Sequence, residues 1–423
     1  MSSYHIDDLQ ISLNTQGASR YQKVSFPVHY GLASQIQTPR YSLRYNCNGA
    51  IISIQGRSRD WPHPSEWLKR TLGNDWVYYF SGNYTNIVDA LGEYYLPCFP
   101  YPSNSLWNRH PFAEPAVQAA LDYAQDQLPR QLSRLLAAGG LQPELRDFLE
   151  IVARTSRARL WEQSRRLFSI LKSRVSVLPP DARHVDYDLL PLIIADGCQY
   201  NCGFCSVKTG QAFQPRSRKD ILEQILGLRS LLGPDLKNYN SLFLGQHDAL
   251  HCDPDLLEHA ALKAYTAFDF AHSVMREPTL HCFAGVDAFL NKRDSFFQRC
   301  AQWPYRTFIN IGLESADQKT LDQLHKPVSA EKNQEAFHRA QEVNQRWEQI
   351  EVTTNFVLSP DLPDTHWSAF EDLTRSSLKH YYPKGTVYLS PLSRLHRQEN
   401  RRLFARLKRR SRRPTYLYLL QRL

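Results

Sequence analysis

The sequence predicts an α/β protein with a parallel sheet in its second half. Three observations carry this. From residue 189 onward, short apolar runs alternate with helical patterns through six repeats. Between 114 and 171, apolar residues recur at three and four, the helical period. Before residue 110 they sit in short runs bounded by turn residues, as in α+β structure. The chain divides accordingly into an α+β region over 1–110, a helical region over 111–180, a β/α core over 188–392 and a basic helical tail over 393–423.

In the first region, 24–30 reads as a strand and 41–55 as a hairpin turning at Asn48-Gly49, a tight-turn dipeptide. Residues 64–72 read as a short helix and 76–80 as a strand. The Tyr and Trp content fits a β core with aromatic cross-strand pairs, or a surface for substrate. In the helical region, Val117, Leu121, Ala124 and Leu128 share a stripe, continued by Leu132, Leu135 and Leu136 until Gly139-Gly140 stops it. Leu145, Phe148, Leu149 and Val152 mark the next helical stretch. Pro179-Pro180 then breaks the chain, and an extended link over 184–188 leads into the core.

In the core, strands are expected at 190–195, 241–244, 280–284, 307–313, 351–358 and 386–389. Helices are expected at 220–232, 254–268, 286–301, 317–324, 330–347 and 366–380. Repeated β-α alternation implies right-handed crossovers in a parallel sheet. Six units fall short of an eight-unit barrel, and periodicity alone leaves a doubly wound sheet open.

Composition narrows the class. With 423 residues and 42% hydrophobic content the chain can bury a sizeable core. No run of about eighteen apolar residues occurs, so no transmembrane helix is expected, and the first residues show no signal-peptide pattern. Of eight cysteines, five are scattered, which is not a disulfide framework; a reducing, cytoplasmic setting fits. Residues 394–423 hold eleven Lys/Arg against one acid, Glu399, so this stretch is +10 and the rest of the +9 chain sums to −1.

The remaining three cysteines, Cys198, Cys202 and Cys205, are spaced C-x3-C-x2-C directly behind the first core strand. Three thiolates on one loop can hold three corners of an iron–sulfur cluster and leave one iron open for chemistry. Three buried or zinc-binding cysteines are the plainer alternative. Zinc asks for a fourth ligand, and only one C-x2-C knuckle is present. A c-type haem site fails, because Ser206 follows Cys205 where His is required.

This spacing behind a strand resembles the radical S-adenosylmethionine (SAM) superfamily. The resemblance covers about 188–392 and implies a partial (β/α)6 TIM-like radical SAM barrel, preceded by an α+β and then helical N-terminal part. It implies a 4Fe-4S cluster on Cys198, Cys202 and Cys205, whose open iron is chelated by SAM. Phe204, just before the last cysteine, then lies near the adenine. Gly245-Gln246-His247-Asp248 follows the second strand, where the family commonly has Gly-Gly-Glu against the SAM ammonium. This chain departs from that pattern. Gly245 still allows close backbone approach, and the Gln246 region or Asp248 can accept from the ammonium. Gly312-Leu313-Glu314-Ser315 looks like the family's Gly-Leu-Glu-Ser segment and implies contacts from Glu314 and Ser315 to the SAM ribose. Leu358 and Leu389, ending the fifth and sixth strands, are expected to pack the adenine, partly through backbone. Lys326 is assigned no role.

The implied activity is reductive cleavage of SAM to a 5′-deoxyadenosyl radical that abstracts hydrogen from a substrate. An electron donor such as flavodoxin or ferredoxin would serve it. No Asp-x-His-x-x-Gly cobalamin signature and no second multi-cysteine block occur. Cys252, Cys282 and Cys300 read as small buried hydrophobes. His247 and His251 are acid/base or metal candidates, or structural. The segment Arg394 to Arg413 reads as a helix packing on the barrel, or as a contact for nucleic acid or an anionic surface. Two rivals follow: an RNA-modifying radical SAM methyl- or methylthiotransferase, and a non-catalytic, metal-stabilised nucleic-acid-binding protein.

Overall fold

The computed structural model describes residues 2–21, 29–81, 96–98, 110–175, 177–185, 189–200, 202–205, 210–378, 381–392, 396–420 and 423. The first part forms an eight-stranded antiparallel meander. Its strands are β1 (Ser2–Ile6), β2 (Leu9–Gln16), β3 (Leu32–Gln37), β4 (Tyr41–Tyr45), β5 (Ile51–Gly56), β6 (Trp67–Arg70), β7 (Trp76–Phe80) and β8 (Leu96–Cys98). Alternation explains one face: Leu9, Ile11 and Leu13 of β2 are buried while Gln10 and Asn14 face out. Helices Pro115–Asp122, Leu128–Ala138, Pro143–Arg154 and Arg157–Leu171 follow. Val117, Leu128, Leu132, Leu145 and Leu149 join Ile11, Leu43 and Ile54 in one core, so sheet and helices share a single apolar layer.

The hairpin and the 76–80 strand lie where expected. The 64–72 helix does not form: Trp67–Arg70 is β6, paired antiparallel with β5 and β7. Pairing on both sides overrides a weak local preference for helix. Most of the strand expected at 24–30, and residues 186–188 of the expected link, lie outside the described residues.

The second part is a seven-stranded, all-parallel sheet in the order β17-β16-β15-β14-β13-β12-β9. It comprises β9 (Leu189–Ile193), β12 (Ser241–Gly245), β13 (Thr279–Ala284), β14 (Arg306–Glu314), β15 (Ile350–Leu358), β16 (Val387–Pro391) and β17 (Thr415–Leu417). A short ribbon, β10 (Ala195–Asp196) with β11 (Gln214–Pro215), follows β9. Long helices such as Arg218–Leu232, Pro254–Ala267 and Ala330–Arg346 connect the strands and bury their apolar stripes on the sheet. The expected β/α core is present, with one more strand than its six units.

That strand comes from the basic tail. Helix Arg397–Arg410 buries Leu403, Phe404 and Leu407 and is the crossover from β16 to β17. Arg410 pairs with Glu371 at 2.7 Å, and Arg413 lies 4.3 Å over the Tyr382 ring. Part of the positive charge is therefore structural.

The sheet is open between its edge strands β9 and β17, and the segment before β9 is bonded to residues of several strands or strand ends. Gln246 Nε2 donates to Ser173 Oγ and, at 2.7 Å, to the Arg174 carbonyl. Tyr418 Oη donates to the Leu178 carbonyl at 2.9 Å. The fully buried Asp181 carboxylate accepts from Thr353 Oγ1 and Tyr388 Oη, each at 2.8 Å. Among the described residues no helix is long and apolar enough to cross a membrane.

Candidate functional site

β9 is buried along its whole length and delivers the chain to Asp196-Gly197-Cys198. Gly197 turns at φ +71°, and a Cβ there would stand 2.2 Å from the Ala212 carbonyl oxygen, so only glycine fits. Arg216 grips Asp196 with two 2.7 Å bonds and donates to the Leu171 carbonyl at 2.8 Å. Tyr200 Oη donates to Asp287 at 2.6 Å and accepts from the Asp287 amide at 3.0 Å. The Gly203 amide donates to Leu324 at 3.0 Å. The cysteine loop is thus tied to β11, to the helix after β13 and to the segment after β14.

Cys198, Cys202, Phe204 and Cys205 border one open cavity of about 1370 Å³, counting the space at its mouth. The C-terminal ends of the parallel strands supply the rest of its wall: Asp248 after β12, Gly285 after β13, Glu314 at the end of β14, Ser390 on β16. This is where parallel α/β folds place ligands.

The charges cluster on the cysteine side. Glu314 sits in the left-handed region at φ +65°, and its Oε1 lies 2.6 Å from where a Gly312 Cβ would be. The missing side chain at Gly312 makes room for this carboxylate. Lys326 Nζ lies 3.7 Å from Glu314 Oε1 and 5.4 Å over the Tyr200 ring. Burial raises the Glu314 pKa, and the Lys326 charge opposes the shift. Asp248 accepts from the Gly285 amide at 2.7 Å, and burial pushes its pKa up as well. The field of Asp248 reaches Cys198, and that of Glu314 and Lys326 reaches Cys202. Burial raises both of these thiols above the usual cysteine range.

The other residues expected at the site are placed differently. Gly245 ends β12, beneath the cavity wall, with the Phe243 ring against its Cα. Gln246 turns outward to Ser173 and Arg174. Ser315 is fully buried away from the cavity; its Oγ pairs with His366 Nδ1 at 2.7 Å and accepts from the Asp317 amide at 3.0 Å. Leu358 and Leu389 are fully buried in the main core and do not line the cavity. Asn355 and Ser390 do, because residues an odd number of positions apart on a strand face opposite sides; Pro391, at the strand's end, lines it too.

Of the two candidate histidines, His247 lines the cavity and His251 is exposed beside Gln199. His247 Nε2 is out of solvent contact and without a hydrogen-bond partner among the described residues; burial lowers its pKa. Sequence reading passed over Lys326, Tyr200 and Asn355. Asn355 carried a signal: Glu351, Thr353 and Asn355 are polar at every second position of the strand, as residues sharing one face would be.

Three thiols on one loop, bordering one cavity, fit a four-iron cluster, which takes one thiolate per iron.

Residues 192–373 match the model of the radical SAM superfamily. No curated protein matches the chain. Among solved structures, the cobalamin-dependent SAM radical enzyme OxsB with aqua-cobalamin bound is 16% identical at a TM-score of 0.34, covering 44% of this chain and 26% of that one. HydG, a maturase of the FeFe hydrogenase, is 11% identical at 0.35, covering 69% and 65%. Methylornithine synthase (PylB) is 11% identical at 0.32, covering 62% and 64%. The chain thus spans about a quarter of the OxsB structure's length. At these identities and scores the likeness does not extend to activity or substrate.

Proposed function

We propose that the chain works as a radical SAM protein, since residues 192–373 match the model of that superfamily, that Cys198, Cys202 and Cys205 hold a 4Fe-4S cluster and that the cavity above them binds SAM. The observation that carries this is the placement of all three thiols on the wall of one cavity at the strand ends. When bound, the cluster would supply the electron that splits the SAM sulfonium and releases a 5′-deoxyadenosyl radical, which takes hydrogen from a substrate. The protein's own part is positioning and exclusion of water.

Asp248 and Glu314 face the SAM ammonium, and Lys326 faces its carboxylate. This assignment rests on charge: a zwitterion suits a wall carrying both signs close to the thiols. Phe204 offers an apolar face to the adenine. Burial of Asp248 and Glu314 would cost less once a cation stands beside them. The substrate and the reductant, a flavodoxin or ferredoxin in this reading, reach the site from solvent. Anaerobic reconstitution with iron and sulfide tests the assignment. The intact protein should take up about four irons, as such a cluster requires, and its reduced EPR signal should change when SAM is added. A protein with all three cysteines changed to alanine should do neither.

A second reading concerns the tail. Arg402, Arg406 and Arg409 are exposed and spaced four and three apart, which puts them on one face of helix Arg397–Arg410. This basic face within the Arg394 to Arg413 segment favours an RNA substrate or another polyanion.

A further inference from the structure

The cavity has two unlike halves. The charged groups Asp248, Glu314 and Lys326 stand with the cysteine loop: Lys326 Nζ lies 5.4 Å over the ring of Tyr200, between Cys198 and Cys202, and 3.7 Å from Glu314, and a Cβ on Gly285 would meet both the Asp248 carboxylate and the Tyr200 ring. Much of the remaining lining is apolar, beside the polar His247, Asn355 and Ser390. Val177, Phe283, Leu392, Tyr418 and Leu420 form this apolar wall. Val177 and Tyr418 pack with Tyr388 and with Leu420 in a small cluster, which Phe283 joins to the main core. These residues come from four distant parts of the chain: the segment before β9, the end of β13, the stretch after β16 and the stretch after β17.

The segment before β9 is anchored on both sides: Gln246, after β12, and Tyr418, after β17, donate to its Arg174 and Leu178 carbonyls.

We propose that this wall is the substrate lobe and that it takes a small, uncharged and largely apolar molecule, or one with such a portion. The proposal rests on the reading of the cysteine side as the SAM site, since it assigns the other half of the same cavity. An uncharged ligand follows from the lining: a carboxylate or phosphate against Val177, Phe283 and Leu420 would be desolvated without a partner. Tyr418 Oη is already committed to the Leu178 carbonyl. Asn355, at the floor between the halves, offers amide groups to a hydroxyl or carbonyl on the ligand.

Fluorine NMR on the cluster-loaded protein tests this with two probes, a neutral fluorophenyl alkanol and the matching fluorophenyl carboxylate. The neutral probe should broaden on binding and the carboxylate should not. Leu420→Trp, which fills the lobe, should weaken the neutral probe about tenfold or more. Leu420→Lys should invert the preference and capture the carboxylate, a gain that a misfolded protein cannot show. Failure of the neutral probe to bind, tighter binding of the carboxylate by the unaltered protein, or indifference of both probes to Leu420 overturns the proposal. SAM binding, followed separately by EPR of the cluster, keeps the two assignments apart. Loss of the SAM effect with normal probe behaviour counts against the cofactor reading and not against the lobe.

Discussion

Asn310 and Asn355 exchange amide hydrogen bonds across adjacent strands β14 and β15, at 3.1 Å in one direction and 2.7 Å in the other. Asn310 is fully buried and also donates to Thr353 Oγ1 at 2.9 Å. The pair forms the floor of the cavity: Asn355 faces the open space, and Asn310 holds it in place. Replacing Asn310 with alanine leaves the Asn355 amide and the Thr353 hydroxyl without this buried partner. The expected cost is about 1–3 kcal/mol in urea unfolding. An Asn310→Ala protein as stable as the parent would show that the exchange contributes nothing.

The cysteine loop depends on Arg216. Its guanidinium is largely buried and grips the partly exposed Asp196, two residues before Cys198. Arg216→Ala should destabilise the protein by about 1–2 kcal/mol, a value discounted for the solvent reaching Asp196. It should also release cluster iron to a chelator faster than the parent does. Lysine should rescue only in part, because it lacks the two-pronged geometry. Equal iron retention in all three proteins would mean that the loop is held without this pair.

His366 links the ends of β14 and β15, with Nδ1 toward Ser315 Oγ at 2.7 Å and Nε2 toward the Val357 carbonyl at 3.2 Å. Donation to a carbonyl requires the proton on Nε2, so Nδ1 accepts from the serine and the ring is neutral. Burial lowers its pKa from 6.5 to about 4. Below pH 6.5 the unfolded chain takes up a proton that the folded protein refuses. This contribution to stability is full above the unfolded value and declines as pH falls toward about 4. The total loss is about 3 kcal/mol. Urea midpoints at pH 7 and pH 5 should differ more for the parent than for His366→Gln; parallel pH profiles would refute the assignment.

The tail carries both structure and charge. Deleting 394–423 removes the crossover helix and β17, so the truncated chain should fail to fold. Changing Arg402, Arg406 and Arg409 together to glutamine should shift stability by less than about 1 kcal/mol, as for most exposed positions. If RNA is bound there, the triple variant should lose affinity for a labelled single-stranded RNA, and the salt dependence of binding should flatten. Binding identical to the parent's would remove the tail from any account of partners.

Much of the core was legible because parallel strands buried on both faces read as continuous apolar runs. Leu189–Ile193 and Ser241–Gly245 are buried throughout, and each is followed by a helix of clear period. The three cysteines were legible because their spacing is local. What escaped depends on long-range pairing or on side-chain direction. Trp67–Arg70 has no strong local preference and became β6 through its neighbours. Thr415–Leu417 is only three residues long, and the arginines before it dominated the reading. Gln246, Ser315, Leu358 and Leu389 lie at the expected strand ends, but their side chains face away from the cavity. A shift of one residue along a strand reverses the face, and local sequence does not reveal which face looks inward.

In the proposed reading the three thiols hold the cluster that cleaves SAM bound in the cavity above them. The most direct measurement is 5′-deoxyadenosine, read by mass after anaerobic reconstitution, dithionite reduction and addition of SAM. Intact protein should form it, and protein with Cys198, Cys202 and Cys205 changed to alanine should form none. Equal amounts from both proteins, or zinc in place of iron together with no effect of SAM on the metal site, would contradict the account.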